Sequence, residues 1–471
     1  MFSGKEQTMF STATYIRRRN VLKERMGTGL LLFLGNEESP MNYKDNTYSF
    51  RQDSTFLYYW GLDDPSLAAV IDIDEGREAI FGDDPTVDEI VWTGPQQSIK
   101  EKSAKVGVQS TLSQKSLAGV IREGVQKGRK IHFLQQYRPE NLLLIESLLG
   151  IPSQKVNVSA SIELIRAVVA QRSVKSKEEI EQIEIALDIT REMHRTAMRI
   201  SRPGMREREV AGAMNGIAVT RGGNLAFPII FSVHGETLHN HGYGNIMKRG
   251  DIVVNDSGAE SSLHYAGDIT RTFPVSGKFT PRQKEIYEIV LRAQQKSIDM
   301  VAPGVKYKDV HLTSCRILAA GLKDLGLMKG DTEEAVQAGA HAMFFQCGTG
   351  HMLGLDVHDM ENLGEEFIGY DDGVQRSPQF GLCYLRMAKA LQPGYVVTVE
   401  PGIYFIPELY KLWKAEKRFE QYLNYNAIGK YMGFGGVRIE DDVLVTPKGR
   451  RVLGKKIPKT ISEVEALCSQ A

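Results

Sequence analysis

Two segments of the 471-residue chain carry a β-branched run into a carboxylate: Gly250-Asp-Ile-Val-Val-Asn-Asp256-Ser-Gly258 and Gly394-Tyr-Val-Val-Thr-Val-Glu400-Pro-Gly402. Each reads glycine, five residues, an acid, one residue, glycine, with Val253 and Val397 in step. A second acid follows each, Asp268 in Tyr265-Ala-Gly-Asp268-Ile-Thr-Arg-Thr-Phe273 and Glu440 in Gly435-Gly-Val-Arg-Ile-Glu440-Asp-Asp-Val. Any one such acid, taken alone, reads as a solvated turn residue. Burying an ionised carboxylate in an apolar strand is costly unless a cation or donors compensate it, so four acids from two matched segments predict a metal cluster between them. The segment Cys347-Gly-Thr-Gly-His351-Met-Leu-Gly-Leu-Asp-Val-His358-Asp359 adds a candidate imidazole ligand. Four carboxylates and one imidazole make an oxygen-rich site suited to divalent Mn²⁺ or Co²⁺, with Zn²⁺ also compatible.

The elements that must hold these groups also repeat. Ser176-Lys-Glu-Glu179 has capping-box form before apolar residues at helical spacing (Ile180, Ile183, Leu187), and that helix must stop at Pro203-Gly204. A second helix opens at Thr280-Pro281 and stops at Pro303-Gly304, 100 residues further on. Matched helices followed by matched strands predict an internal duplication. Upstream, short apolar runs such as Leu30–Leu34 and Ala68–Ile73 alternate with helix-like stretches, giving an α/β domain. The expected division is 1–172 for that domain and 173–471 for the repeated one, which holds nine of the ten histidines. The aromatic run Phe50–Trp60 reads as a buried N-terminal strand, and Lys411–Glu420 as a solvated helix face.

These segments, with Thr237-Leu-His239-Asn-His241, resemble the pita-bread metallopeptidases, in the proline-directed branch containing aminopeptidase P and prolidase. Phe50-Arg-Gln-Asp-Ser-Thr-Phe56-Leu-Tyr58-Tyr59-Trp60-Gly61 is similar to that branch's N-terminal domain, so the resemblance covers nearly the whole chain. It implies an α/β N-terminal domain and an α+β pita-bread catalytic domain with an internal pseudo-twofold repeat. It further implies two divalent ions, Mn²⁺ first, with Asp256 and Asp268 on one ion and His351 and Glu400 on the other. Asp268 and Glu440 would bridge them. His239 and His358 would orient substrate and stabilise the transition state, Glu400 would shuttle the proton, Arg438 would support the ligands and Arg386 would meet the substrate terminus. Asp45 and Trp92 would reach a neighbouring subunit's cleft in a homodimer or homotetramer. His241 and His264 read as surface or supporting residues.

The implied activity is release of the residue before proline from a peptide N-terminus; a prolidase restricted to dipeptides and a non-catalytic binding module are the alternatives. An Xaa-Pro bond has no N–H, so its pocket must accept a ring without relying on an amide donor. One departure stands out, Cys347 where relatives usually carry a histidine near the substrate. A thiol there could be a weak donor, a soft ligand, an oxidation-sensitive group or a small residue filling the space. Asp256 and Asp268 are 12 apart where relatives commonly have 11, which reads as one extra hairpin residue.

Composition excludes little else. With 58 Lys+Arg against 58 Asp+Glu there is no global field to attract nucleic acid or an anionic membrane. Four scattered cysteines fit a reducing compartment, and Met1–Glu6 lacks the charged-then-apolar order of a secretory leader, so a cytoplasmic enzyme is expected.

Overall fold

The computed structural model describes residues 9–470, so Met1–Glu6, read above for a leader, lies outside the described residues. The chain forms two compact units, residues 9–172 with Met360–Phe367, and Ser173–Asp359 with the residues from Ile368 onward.

The first unit is built on a mixed five-stranded sheet of β1 (Leu30–Leu34), β2 (Ala68–Asp72), β3 (Arg77–Phe81), β4 (Ser110–Leu112) and β5 (Ile131–His132), ordered β4-β3-β2-β1-β5. β1 is buried at every position, as its unbroken apolar sequence requires, and packs with Val70, Phe81, Ile121 and Ile145. The aromatic run is not a strand. Ser54–Trp60 is a helix, capped by the Asp53 side chain accepting from the Phe56 amide and ended by Gly61 in the left-handed conformation. All seven of its residues are buried, so it has no polar face from which a helical period could be read.

In the second unit the duplication is explicit. The Lys177–Ile200 helix carries the expected capping box at Ser176 and is followed by Glu207–Thr220; Pro281–Met300, capped at Thr280, is followed by Tyr307–Asp324. Between the helices of each pair the chain makes the same turn. Gly204 and Glu207 donate to the carbonyls of Met247 and Asn245, and Gly304 and Tyr307 donate to those of Leu391 and Lys389. Donors are offset by 100 residues (204 to 304) and acceptors by 144 (247 to 391), matching the offset between the two acid-bearing segments.

Each half then supplies a three-stranded sheet: β6 (Ile230–Ser232), β7 (Ile252–Ser257) and β8 (Ile269–Pro274) in one, and β9 (Val396–Val399), β12 (Asp441–Thr446) and β13 (Gly449–Val452) in the other. The short strands β10 (Gly402–Tyr404) and β11 (Gly436–Arg438) pair with each other. The sheets are fastened across the pseudo-twofold by Glu440 N–H to Thr270 O at 3.1 Å, by a mutual Thr272–Arg438 pair at 3.0 and 3.1 Å, and by the buried ion pair Arg271–Asp441 at 2.6 Å. One continuous core runs beneath them, including Met193, Val253, Phe273, Tyr287, Val290 and Ile439. The Lys/Glu-rich stretch is helical only to Ala415, with Trp413 buried and Lys411 and Lys414 outward. Among the described residues no helix is long and apolar enough to cross a membrane.

Candidate metal centre and active-site cavity

The four acids meet where the two half-sheets abut. Asp256 is the fifth residue of β7 and Asp268 immediately precedes β8; Glu400 follows β9 and Glu440 precedes β12, in antiparallel registers that bring Glu400 beside Glu440. Asp268, His351 and Glu440 each present one ligand atom, and these atoms lie within 4.8 Å of one another. His351 Nε2 is 3.4 Å from Asp268 Oδ2 and 3.6 Å from Glu400 Oε1. Its Nδ1 faces the Met352 carbonyl at 3.0 Å, which fixes the tautomer in which Nε2 carries the lone pair turned toward the acids.

The acids carry too little compensation of their own. Oδ1 of Asp256 and Oδ1 of Asp268 are buried without a hydrogen-bond partner. Burial, with the neighbouring carboxylates, pushes Asp256 up to about 7, although Arg438 pulls against it. Burial and the other acids likewise raise Glu400 and, further, Glu440. Oxygen atoms without donors, mutual repulsion and one oriented imidazole are what divalent cations would relieve, so the residues present fit a metal pair. Arg438 is the main fixed cation: it bonds Asp256, donates to Tyr404 at 2.8 Å and donates to Thr270 at 3.0 Å. Thr270 in turn donates to Glu440 at 2.7 Å, so one side chain links ligands from both halves.

These groups form the floor of a cavity of about 490 Å³, a volume ordinary for a small-molecule site. His239, His358, Arg386 and Cys347 line it with all five candidate ligands and Arg438. The His358 ring stands edge-on to His351, centroids 4.3 Å apart. The surrounding protein, then Arg438 and His358, holds His239 below the usual imidazole range. Burial and Glu400 push the Cys347 thiol up to about 12, so it is protonated at neutral pH. Asp45 and Trp92 are exposed residues of the first unit and line no part of this cavity. His264, on the β7–β8 turn, bonds Glu260 at 3.0 Å.

His241, expected at the surface or in a supporting place, lines the cavity next to His239. Other contributors were not singled out from the sequence: the exposed Tyr384 stands at the mouth, with Phe227, Pro228 and Leu238 as apolar wall. Asp442 accepts the Asp268 amide at 3.0 Å. The three consecutive acids Glu440-Asp441-Asp442 opening an apolar strand were the available signal for it.

Within Cys347–His351, Gly350 is a steric necessity. A Cβ on Gly350 would run into the Thr398 carbonyl and the Tyr307 hydroxyl, displacing β9 just before Glu400 and moving His351 with it. Gly350→Ala is therefore expected to lower kcat by about 10²-fold in a peptide-hydrolysis assay while the chain still folds, since a shift of about 1 Å in positioning groups costs that much. Full activity would mean that the segment tolerates displacement.

Comparison with known proteins gives two family matches: residues 181–447 match metallopeptidase family M24, and residues 15–132 match the aminopeptidase P N-terminal domain. Among curated relatives, an Xaa-Pro dipeptidase of Homo sapiens is 32% identical over 98% of this chain and 94% of its own. An Xaa-Pro aminopeptidase of Escherichia coli K12 is 31% identical over 97% and 98%. The solved structure of aminopeptidase P from E. coli with the inhibitor Pro-Leu superposes with a TM-score of 0.79 at 30% identity, covering 98% of both chains.

Proposed function

Because the chain belongs to metallopeptidase family M24, we propose that it is a metal-dependent Xaa-Pro aminopeptidase, releasing the first residue of peptides with proline second. The observation that carries this reading is the convergence of Asp256, Asp268, His351, Glu400 and Glu440 on an apolar-walled cavity that also holds two further histidines and Arg386. Two divalent ions, Mn²⁺ by preference, would be held by Asp256 with Asp268 and by His351 with Glu400, Asp268 and Glu440 being shared. When bound, such ions supply Lewis acidity and lower the pKa of water at neutral pH.

The chain's own residues do the rest. Glu400, made more basic by burial, takes a proton from the attacking water and delivers it to the leaving imino nitrogen. His358 donates to the oxygen of the scissile carbonyl as charge develops on it. His239, held neutral, orients the substrate, and Arg386 pairs with a carboxylate or carbonyl further along it. Phe227, Pro228 and Leu238 give the proline ring an apolar wall that asks for no N–H. Arg438 holds Asp256 in place and opposes its protonation.

The exposure of Trp92, on a helix with no buried residue, supports a homodimer or homotetramer in which it and Asp45 reach a neighbour's cleft. All four cysteines are unpaired thiols, which supports a reducing compartment, the cytoplasm. The human dipeptidase relative favours prolidase as the second reading, with Arg386 capping a dipeptide's carboxylate. Hydrolysis of an Xaa-Pro-Yaa tripeptide beside an Xaa-Pro dipeptide by the Mn²⁺-loaded chain, with chelator controls, separates them. Cleavage of the tripeptide is expected. Cleavage of the dipeptide alone would make the chain a prolidase, and cleavage of neither would make it a binding protein.

A further inference from the structure

Apart from the acid cluster, one other group of ligating side chains among the described residues has its donor atoms within 4.8 Å of one another: His311, Cys315 and His341, all buried. His311 and Cys315 are four apart on the Tyr307–Asp324 helix and so share one face. His341 comes from the short Ala340–Met343 turn, which begins after Gly339 ends the preceding helix in the left-handed conformation.

The geometry has the parts of a metal site. His311 Nε2 is 3.4 Å from Cys315 Sγ, while His311 Nδ1 bonds the Thr349 hydroxyl at 2.9 Å, the outer partner that orients a ligating imidazole. His341 is 2% exposed, yet neither ring nitrogen has a hydrogen-bond partner, the Val336 backbone beside it falling outside hydrogen-bonding geometry. An imidazole with two unmet nitrogens deep in a core is costly, and a ligand at one of them removes that nitrogen's share of the cost. Gly381 stands against His341 Nε2 with no side chain to cover it.

We propose that His311, Cys315 and His341 form a second metal site, specific for a thiophilic monovalent cation such as Cu⁺, separate from the carboxylate centre. Two imidazoles and a thiolate are soft donors, the opposite of the oxygen set in the cavity. Charge selects the valence. One thiolate neutralises a monovalent ion, whereas a divalent ion would leave a net positive charge in a buried pocket where no carboxylate acts on any of the three groups. On binding, the Cys315 S–H bond ionises, the sulfur–metal bond forms and one proton is released; the metal keeps its oxidation state. Burial already holds both imidazoles neutral, His311 at about 3 and His341 at about 4. Thr349 connects this site to the catalytic segment, since its carbonyl also accepts the Glu400 amide at 2.8 Å.

The test is anaerobic titration of the full Mn²⁺-loaded chain with Cu⁺ against a chromophoric Cu⁺ chelator, with X-ray absorption on the product. The expected result is one Cu⁺ per chain with one sulfur and two nitrogen neighbours, one proton released, Mn²⁺ retained, and no displacement by equimolar Zn²⁺. Cys315→Ser and His341→Ala should each weaken Cu⁺ binding by at least about 10²-fold, while Cys347→Ala should leave it. Absence of binding, a sulfur-rich coordination shell, loss in Cys347→Ala instead, or displacement by Zn²⁺ would overturn the proposal. The absorption measurement on the unaltered chain decides even where a variant fails to fold.

Discussion

Glu440→Ala is expected to abolish Xaa-Pro hydrolysis, with kcat/KM down by at least about 10³-fold and metal content reduced, while the metal-free protein becomes more stable. The two effects have one cause. Glu440 is 2% exposed and is raised well above the carboxylate range by burial first and by Asp268, Glu400 and Asp256 after it. Ions at the candidate centre would bind its charge; without them, that charge is repulsion. The sign of the pH dependence follows. In the unfolded chain these carboxyls titrate near 4, whereas folded Asp256 titrates at about 7. Between those values the folded metal-free chain holds more protons than the unfolded one, so its stability falls as pH rises through that window. Cations compete with those protons, so the gap in thermal midpoint between metal-loaded and metal-free protein should widen from pH 5 to pH 7.5 and narrow in Glu440→Ala. A variant that keeps its metal and cleaves normally would remove Glu440 from the bridging role.

His358→Ala should behave differently, losing about 10²- to 10⁴-fold in kcat with metal content and KM close to those of the parent. His358 lines the cavity beside His351 without belonging to the compact Asp268–His351–Glu440 group, so removing it takes a donor from the reacting carbonyl and leaves the ligands in register. Metal analysis together with steady-state kinetics separates the two cases. Near-normal turnover would mean that the carbonyl oxygen is stabilised elsewhere.

What could be read from the sequence was what repeats or is local. Ser176 and Thr280 announce their helices within three residues, and the pairing of Asp256 with Glu400 and of Asp268 with Glu440 is visible because one pattern occurs twice. The Phe50–Trp60 run was misread because a helix buried on every side has lost its polar phase; Asp53 and Gly61, its two caps, were the better signal. Tyr384 and Asp442 escaped because each joins the site through a neighbour far away in the chain, as Asp442 does through the Asp268 amide. His311 and Cys315 stood at helical spacing in plain view, but the third member, His341, arrives only through the fold.

The bonds that fasten the two half-sheets also fix the order in which the centre can be made. Thr270 and Glu440 are 170 residues apart, and Arg438, which neutralises Asp256, emerges with the second of them. At 5–20 residues per second the ribosome needs roughly 10 to 35 s to cover that distance, and through that interval the first half carries its two acids with neither Arg438 nor the opposing carboxylates in place. Nascent chains therefore meet the surrounding ions with half of the candidate site. Ion capture by the complete candidate site would then be a late, post-synthetic step, because an ion bound earlier would be held by two carboxylates alone and would exchange before the second half docks.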